Sequence, residues 1–362
     1  MKICFVAPAN SVHTKKWCKW FSQRGHDVYV ISLTEDYDIE SKVYFLDSGV
    51  KPTDSAIRKL GYLKTVFQVK NIIRELQPDI VNVHYATSYG IITSLAGIDN
   101  FILSVWGSDV YDFPQNSIFH RLMIKFILHR AGSLFSTSKA MADECRKYTE
   151  KRFVITPFGV DMRVFSPKRR KRHDGEFVVG TVKTLSPKYG IDNILRAVCI
   201  TKNTHPEIPI KLRIAGHGSH ADEYHQLAVD LGIDDITTWL GFISQEQAAD
   251  EWANLDCGII PSEYESESFG VSAVEAEASG CPVIITDIPG LMEATKPGVT
   301  SIVIPRSSPE KIAEELVRLY RDSALRKQMG IAGRKFVEDN YELNKCFLQV
   351  EEFFKTYTNK VI

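Results

Sequence analysis

Residues 259–284, IIPSEYESESFGVSAVEAEASGCPVI, constrain the fold more than any other stretch of the chain. An apolar run leads into a polar loop, Glu267-Ser-Phe-Gly270 opens a helical segment, Gly280 closes it, and Pro282-Val-Ile-Ile begins a second apolar run. This punctuation predicts strand, loop, helix and strand, a unit that requires a parallel sheet. Gly270 allows close backbone approach, and the N–H groups from Gly270 to Ala273 would form a donor-rich concavity suited to a phosphate. Val271, Val274 and Ala278 follow the spacing of a buried stripe, with Glu275 on the flank beside Ser272, where it could accept hydrogen bonds from sugar hydroxyls. Spacing alone leaves a plainer reading equally open, in which Glu267 and Glu275 are solvated complements of the helix dipole.

The rest of the chain repeats the pattern. Strands are expected at 2–7 and 28–33, with a helix at 14–24 between them, and the loop Pro8-Ala-Asn-Ser-Val-His13 then lies at a strand's carboxyl end, where open α/β sheets bind ligands. Strands at 43–46, 78–84 and 101–105 and a helix at 60–76 continue the first half, so that His84 and Asp109 also fall at the ligand edge. Lone histidines such as His13 are more often structural than chemical. Between 113 and 142 there is no acidic residue, while Arg121, Lys125, Arg130 and Lys139 interleave with apolar positions. Such a helix could rest on an anionic membrane surface, or be a buried helix with a few exposed bases; the number of apolar positions favours burial.

Pro167 and the run Lys168-Arg-Arg-Lys-Arg172 mark a solvated linker and divide the chain into 1–167 and 168–342. Beyond it, strands at 177–182, 210–215, 237–240 and 299–304 alternate with helices at 191–201, 221–231, 245–254, 309–320, 323–340 and 343–357. Lys183 and Lys188 sit in a strand-to-helix loop, where paired cations could neutralise a pyrophosphate. Gly216-His-Gly218 is half of a dinucleotide fingerprint, which disfavours an NAD-dependent oxidoreductase.

A formal net charge of -1 removes any global electrostatic case for nucleic acid. Seven scattered cysteines without a CxxC pair suggest reduced thiols and a cytoplasmic protein, and no apolar run approaches the length of a membrane span.

Taken together, these segments resemble glycosyltransferase family four. The likeness is strongest in PS-x-x-E-S-x-x-FG…E-A-x-A-x-G-x-PV, with seven residues between Glu267 and Glu275, and extends to Arg24-Gly-His-Asp-Val28, Pro78-Asp-Ile-Val…His84, Gly159-Val-Asp161…Phe165, Ala215-Gly-His-Gly218 and Leu240-Gly-Phe242. The resemblance implies the GT-B fold: two Rossmann-like, doubly wound α/β domains facing a central cleft. The first would bind the acceptor and the second the nucleotide sugar, with the C-terminal helix (343–362) crossing back to the first. It implies a retaining transfer from a nucleotide-sugar donor, a UDP-sugar before a GDP-sugar, to a saccharide or lipid-linked acceptor. No metal or other cofactor is expected; the nucleotide sugar is a substrate. Glu275 would hold the ribose and Glu267 the sugar ring, with the amides of Phe269, Gly270 and Val271 facing sugar or phosphate. Lys183 and Lys188 would bind the pyrophosphate, and Phe242 and Ile243 would frame the base.

The expected catalytic set is therefore Glu267, Lys183, Lys188 and Asp109. Ser272 and Gly216 join the donor set, and His13, His84, Trp106, Gly107 and Ser108 form the acceptor side. Three departures stand out: Asn10-Ser-Val-His13 replaces the usual glycine pair, a lysine replaces an arginine with Tyr189 inserted before Gly190, and Trp106 stands where histidine is common. The first and third bear on the acceptor side. A sugar-nucleotide epimerase of the same fold and a non-catalytic sugar-binding module are the competing readings, and oligomeric state is not legible.

Overall fold

The computed structural model describes residues 1–361 apart from 37, 50–63 and 172–174. It divides into two α/β units, Met1–Pro157 with Phe347–Ile362, and Phe158–Cys346.

In the first unit, β1 (Lys2–Val6), β2 (Asp27–Ser32), β3 (Lys42–Phe45), β4 (Ile80–His84), β5 (Ile102–Val105), β6 (Ser133–Ser136) and β7 (Phe153–Ile155) form one parallel sheet in the order β3-β2-β1-β4-β5-β6-β7. Ile3, Cys4, Phe5 and Val6 are fully buried, as expected of a strand covered on both faces. The chain winds outward from β1 to β3 and returns to place β4 beside β1, so the topological switch lies between β1 and β4.

In the second unit, β8 (Phe177–Val182), β9 (Ile210–Ala215), β10 (Thr237–Gly241), β11 (Cys257–Ile260), β12 (Val283–Thr286) and β13 (Ser301–Ile304) form a parallel sheet in the order β10-β9-β8-β11-β12-β13. Here the switch lies between β8 and β11. Its core includes Ile194, Leu195, Leu212, Ile259 and Leu316.

The C-terminal helix, Leu343–Val361, packs on the first unit as expected. Phe347 stacks on Trp20 (centroids 5.4 Å apart) and Phe354 on Phe21 (5.5 Å). Glu351 accepts two bonds from the Arg24 guanidinium (2.8 and 2.9 Å) and lies 2.8 Å from His26 Nε2. The guanidinium, with His26 and Lys355, holds the Glu351 carboxyl well below the usual carboxylate range.

Several boundaries differ from expectation. The division falls at Pro157, ten residues before the expected one, because Phe158 and Val160 bond within the second unit: Phe158 meets Phe269, and Val160 N–H donates to Tyr341 O at 2.8 Å. The basic run is not a solvated linker. Arg169 pairs with Glu246 and Asp250, and Arg170 with Asp256; Arg172 lies outside the described residues. The helix expected at 60–76 is described from Lys64, positions 60–63 being outside the described residues. β13 starts at Ser301 because Lys296–Thr300 closes a turn, with Thr300 N–H on Lys296 O.

The basic stretch 113–142 is not one buried helix. Helix Ile118–Arg130 ends before Ala131-Gly132, β6 follows, and Ser138 caps a further helix, Lys139–Cys145. Within Ile118–Arg130 only Ile124, Ile127 and Leu128 are fully buried, while Ile118, Phe119, Leu122 and Phe126 are exposed. The expectation of burial is thereby corrected.

Candidate functional site

At the switch point of the second unit, the chain leaving β8 meets the loop leaving β11. Lys183 follows directly on β8, its N–H on Ala215 O at 2.8 Å. Its ammonium lies 3.0 Å from Glu267 Oε1 and 2.9 Å from Oε2, and both side chains are about nine-tenths covered. Lys188 Nζ donates to Ser266 O at 3.0 Å. The ring of Tyr189 lies 4.5 Å from Lys183 Nζ and 5.5 Å from Lys188 Nζ. The negative face of an aromatic ring attracts a nearby ammonium group. The insertion noted in the sequence thus places an aromatic ring near both ammonium groups, which its position in the chain did not reveal.

Gly216 makes this loop possible. Its φ is 144°, and a Cβ there would lie 1.8 Å from Lys183 O. Its N–H donates to Gly241 O at 2.7 Å, tying the ends of β9 and β10 together, and Phe242 follows with 85% of its surface exposed. Ile243 is partly exposed beside it.

Gly270, at φ 69°, is the left-handed N-cap of helix Val271–Ala278. The first helical donors are Ala273 and Val274, both to Gly270 O, so the N–H groups of Gly270, Val271 and Ser272 precede the helical ladder. Val271 was expected in the buried stripe but is partly exposed, as is Glu275 one turn on; the two share a face. Ser272 is buried and donates its hydroxyl to Val182 O at 3.0 Å, pinning the helix start to the end of β8. The Phe269 ring is also buried, edge-on to Phe158 (6.1 Å) and Tyr341 (5.3 Å), which leaves its backbone as the part able to meet a ligand. This site therefore unites Lys183, Lys188, Glu267, Gly270, Val271 and Glu275 around one helix N-terminus, with Ser272 and Gly216 as supports.

Glu277, which the sequence did not single out, is fully buried in the same helix, and burial pushes its carboxyl up to about 8 against the opposing Thr300 hydroxyl.

In the first unit, the residues expected on the acceptor side form an aromatic cluster at the ends of β1, β4 and β5. His84 is fully buried; its Nε2 lies 2.9 Å from Asn82 Oδ1, and its ring is 5.4 Å from Phe5, 5.1 Å from Trp17 and 4.7 Å from Trp106. Burial, aided by His13, pushes its pKa down to about 3, so it is a neutral imidazole. His13 opens helix Val12–Gln23, sits edge-on to Trp106 at 5.6 Å, and is likewise held below the ordinary histidine range by burial and by Lys16. Trp106 remains partly exposed. Ser108 Oγ lies 3.3 Å from the Tyr85 hydroxyl.

Asp109, expected among the catalytic residues, has another task. It is 1% exposed, and its carboxylate accepts the N–H groups of Ala86 (2.9 Å), Trp106 (3.1 Å) and Gly107 (2.8 Å). Those bonds lock the turns after β4 and β5, so Asp109 positions Trp106 and Gly107. Buried, with three backbone donors on its carboxylate, Asp109 is thus a support of the turns and not one of the exposed groups of the site.

Residues 2–138 match the family described as Glycosyl transferase 4-like, and residues 163–336 the family described as Glycosyl transferases group 1. An uncharacterized glycosyltransferase of Methanocaldococcus jannaschii is 25% identical over 305 residues, 82% of this chain and 81% of that protein. A D-inositol 3-phosphate glycosyltransferase of Paenarthrobacter aurescens is 31% identical over 219 residues, which are 56% of this chain and 52% of that protein, so the match spans about half of that relative. Among solved structures, Anabaena HepE in complex with UDP and glucose superposes with a TM-score of 0.79 at 18% identity, covering 98% of this chain and 100% of that one. The two parallel α/β units thus form the GT-B fold.

Proposed function

Because this chain belongs to glycosyltransferase family four, the group 1 enzymes of GT-B fold, we propose that it is a retaining enzyme moving a hexose or N-acetylhexosamine from a nucleotide sugar to a hydroxyl of a saccharide or lipid-linked acceptor. The observation that carries this reading is the Lys183–Glu267 ion pair, with Lys188 alongside, set before the helix N-terminus at Gly270. Breaking a sugar–phosphate bond leaves charge on a nucleoside diphosphate. Two lysines and the amides of Phe269, Gly270 and Val271 are the stabilisers that such a leaving group requires, and they supply the positive charge from the protein itself.

In this reading Glu275 accepts from the ribose hydroxyls, and Glu267, oriented by Lys183, meets the transferred sugar. Attack comes from the face of departure, and the leaving phosphate takes the acceptor's proton. Phe242 and Ile243 frame the base. The UDP and glucose held by HepE favour a UDP-sugar over a GDP-sugar. On the acceptor side, the partly exposed Trp106 offers a flat apolar face to a sugar ring, steadied by His84 and His13. We assign the work to surface polysaccharide or glycolipid synthesis at the cytoplasmic face of the cell membrane.

The test is a thermal-shift screen with UDP, GDP and ADP, followed by incubation of the preferred nucleotide's sugars with saccharide and lipid-linked acceptors and NMR of the product's anomeric centre. We expect stabilisation by UDP and a product that keeps the donor's configuration. An inverted product would refute retention, and turnover of the donor with no acceptor present would make the chain an epimerase instead.

A further inference from the structure

Helix Ile118–Arg130 turns four large apolar side chains outward: Ile118 is 60% exposed, Phe119 76%, Leu122 55% and Phe126 42%. At 100° per residue they fall within an arc of about 100°, and Arg121 and Lys125 border it on one side. Scattered apolar side chains are ordinary on a surface, but four adjoining ones on a single helix form a patch that calls for a partner. The same helix runs along a groove of about 640 Å³ lined by Lys125, Phe126, His129, Arg146, Lys147 and Lys151 among others. Among the described residues, acidic groups nearby are few: Asp143 and Glu144 engage Arg146 and Lys147, Asp99 engages Arg130, and Glu150 is the one carboxylate in the groove's lining. No acidic residue occurs from 113 to 142.

We infer that this face docks on an anionic phospholipid bilayer. Ile118, Phe119, Leu122 and Phe126 enter the boundary between headgroups and acyl chains, Arg121 and Lys125 lie among the headgroup phosphates, and the cationic groove receives a further phosphate. An apolar arc bordered by cations matches a surface that is negative outside and apolar beneath. Among the described residues no helix is long and apolar enough to cross a membrane, so the contact is one that lies on the bilayer. This inference deepens the proposed location at the inner membrane face and is independent of the donor site.

Flotation of the full chain with vesicles tests it, using mixed phosphatidylcholine and phosphatidylglycerol against phosphatidylcholine alone. The chain should float with the mixed vesicles at low salt, and less so as salt rises. Phe119→Ser with Leu122→Ser, and separately Arg121→Glu with Lys125→Glu, should each lower the partition coefficient by at least about tenfold. Circular dichroism and the UDP-induced thermal shift should stay unchanged in both variants. Failure of the unaltered chain to float, equal flotation with both lipids, or wild-type flotation of both variants would overturn the inference. So would a dimer, seen by light scattering, that both variants abolish, since the face would then belong to a second copy. An absent UDP shift in the unaltered chain would count against the proposed donor and leave the docking result standing.

Discussion

Replacing Lys188 with alanine is expected to lower kcat/KM for sugar transfer by about a hundredfold, or about 2.7 kcal/mol of transition-state stabilisation. The two lysines are not equivalent. Lys183 is committed to Glu267 through both carboxylate oxygens, whereas Lys188 holds a backbone carbonyl, Ser266 O, which a pyrophosphate would displace with little loss. Lys188, whose side-chain hydrogen bond to Ser266 O goes to a neutral carbonyl, is the cation we expect to follow charge as it develops on the leaving group. Its removal should depress kcat more than it raises KM, because that charge is greatest in the transition state. Lys188→Arg should restore part of the rate. A Lys188→Ala enzyme with normal kcat/KM and an unchanged melting temperature would show that the pyrophosphate is held elsewhere.

Glu277→Gln is expected to remove a pH dependence of stability on the order of 5 kcal/mol. The carboxyl titrates near 4.5 when exposed and near 8 in the folded chain. Between those values the folded state keeps a proton that the unfolded state releases, so stability falls as pH rises from about 4.5 to 8. Glutamine, neutral throughout, has no such slope. Urea denaturation at a series of pH values between these limits would show the difference as a widening gap in favour of the variant. An equal slope in both proteins would mean that Glu277 is ionised in the folded state. The site gives the residue its interest: Glu277 is two positions beyond Glu275 in a helix of eight residues, and a Cβ added at Gly333 would lie 3.1 Å from its side-chain carbons.

Much of the donor site was legible in the sequence because its parts lie at strand ends in parallel sheets, and buried parallel strands read as unbroken apolar runs. The lysine loop after β8 and the Gly270 helix after β11 are each local features, and the sheet order alone brings them together. What escaped the sequence depends on contacts distant along the chain. Ser272 looked like a ligand residue until its hydroxyl was found on Val182 O, ninety positions earlier. Asp109 looked chemical because it ends a strand, but the N–H groups that occupy it come from two separate turns. The domain division shifted because Phe158 and Val160 meet residues more than a hundred positions later. Helix Ile118–Arg130 has apolar residues on both its buried and its outward arcs, so no single stripe distinguished core from surface, and composition pointed to burial.

Calorimetric titration of UDP into the unaltered chain and into Glu275→Ala tests whether the second unit holds a nucleotide sugar through Glu275 and the helix start at Gly270. We expect saturable binding by the unaltered chain and affinity at least about tenfold weaker in the variant, a loss of about 1.4 kcal/mol, with the fold unchanged. Equal affinity in both proteins, or no binding of UDP, GDP or ADP by the unaltered chain, would contradict it.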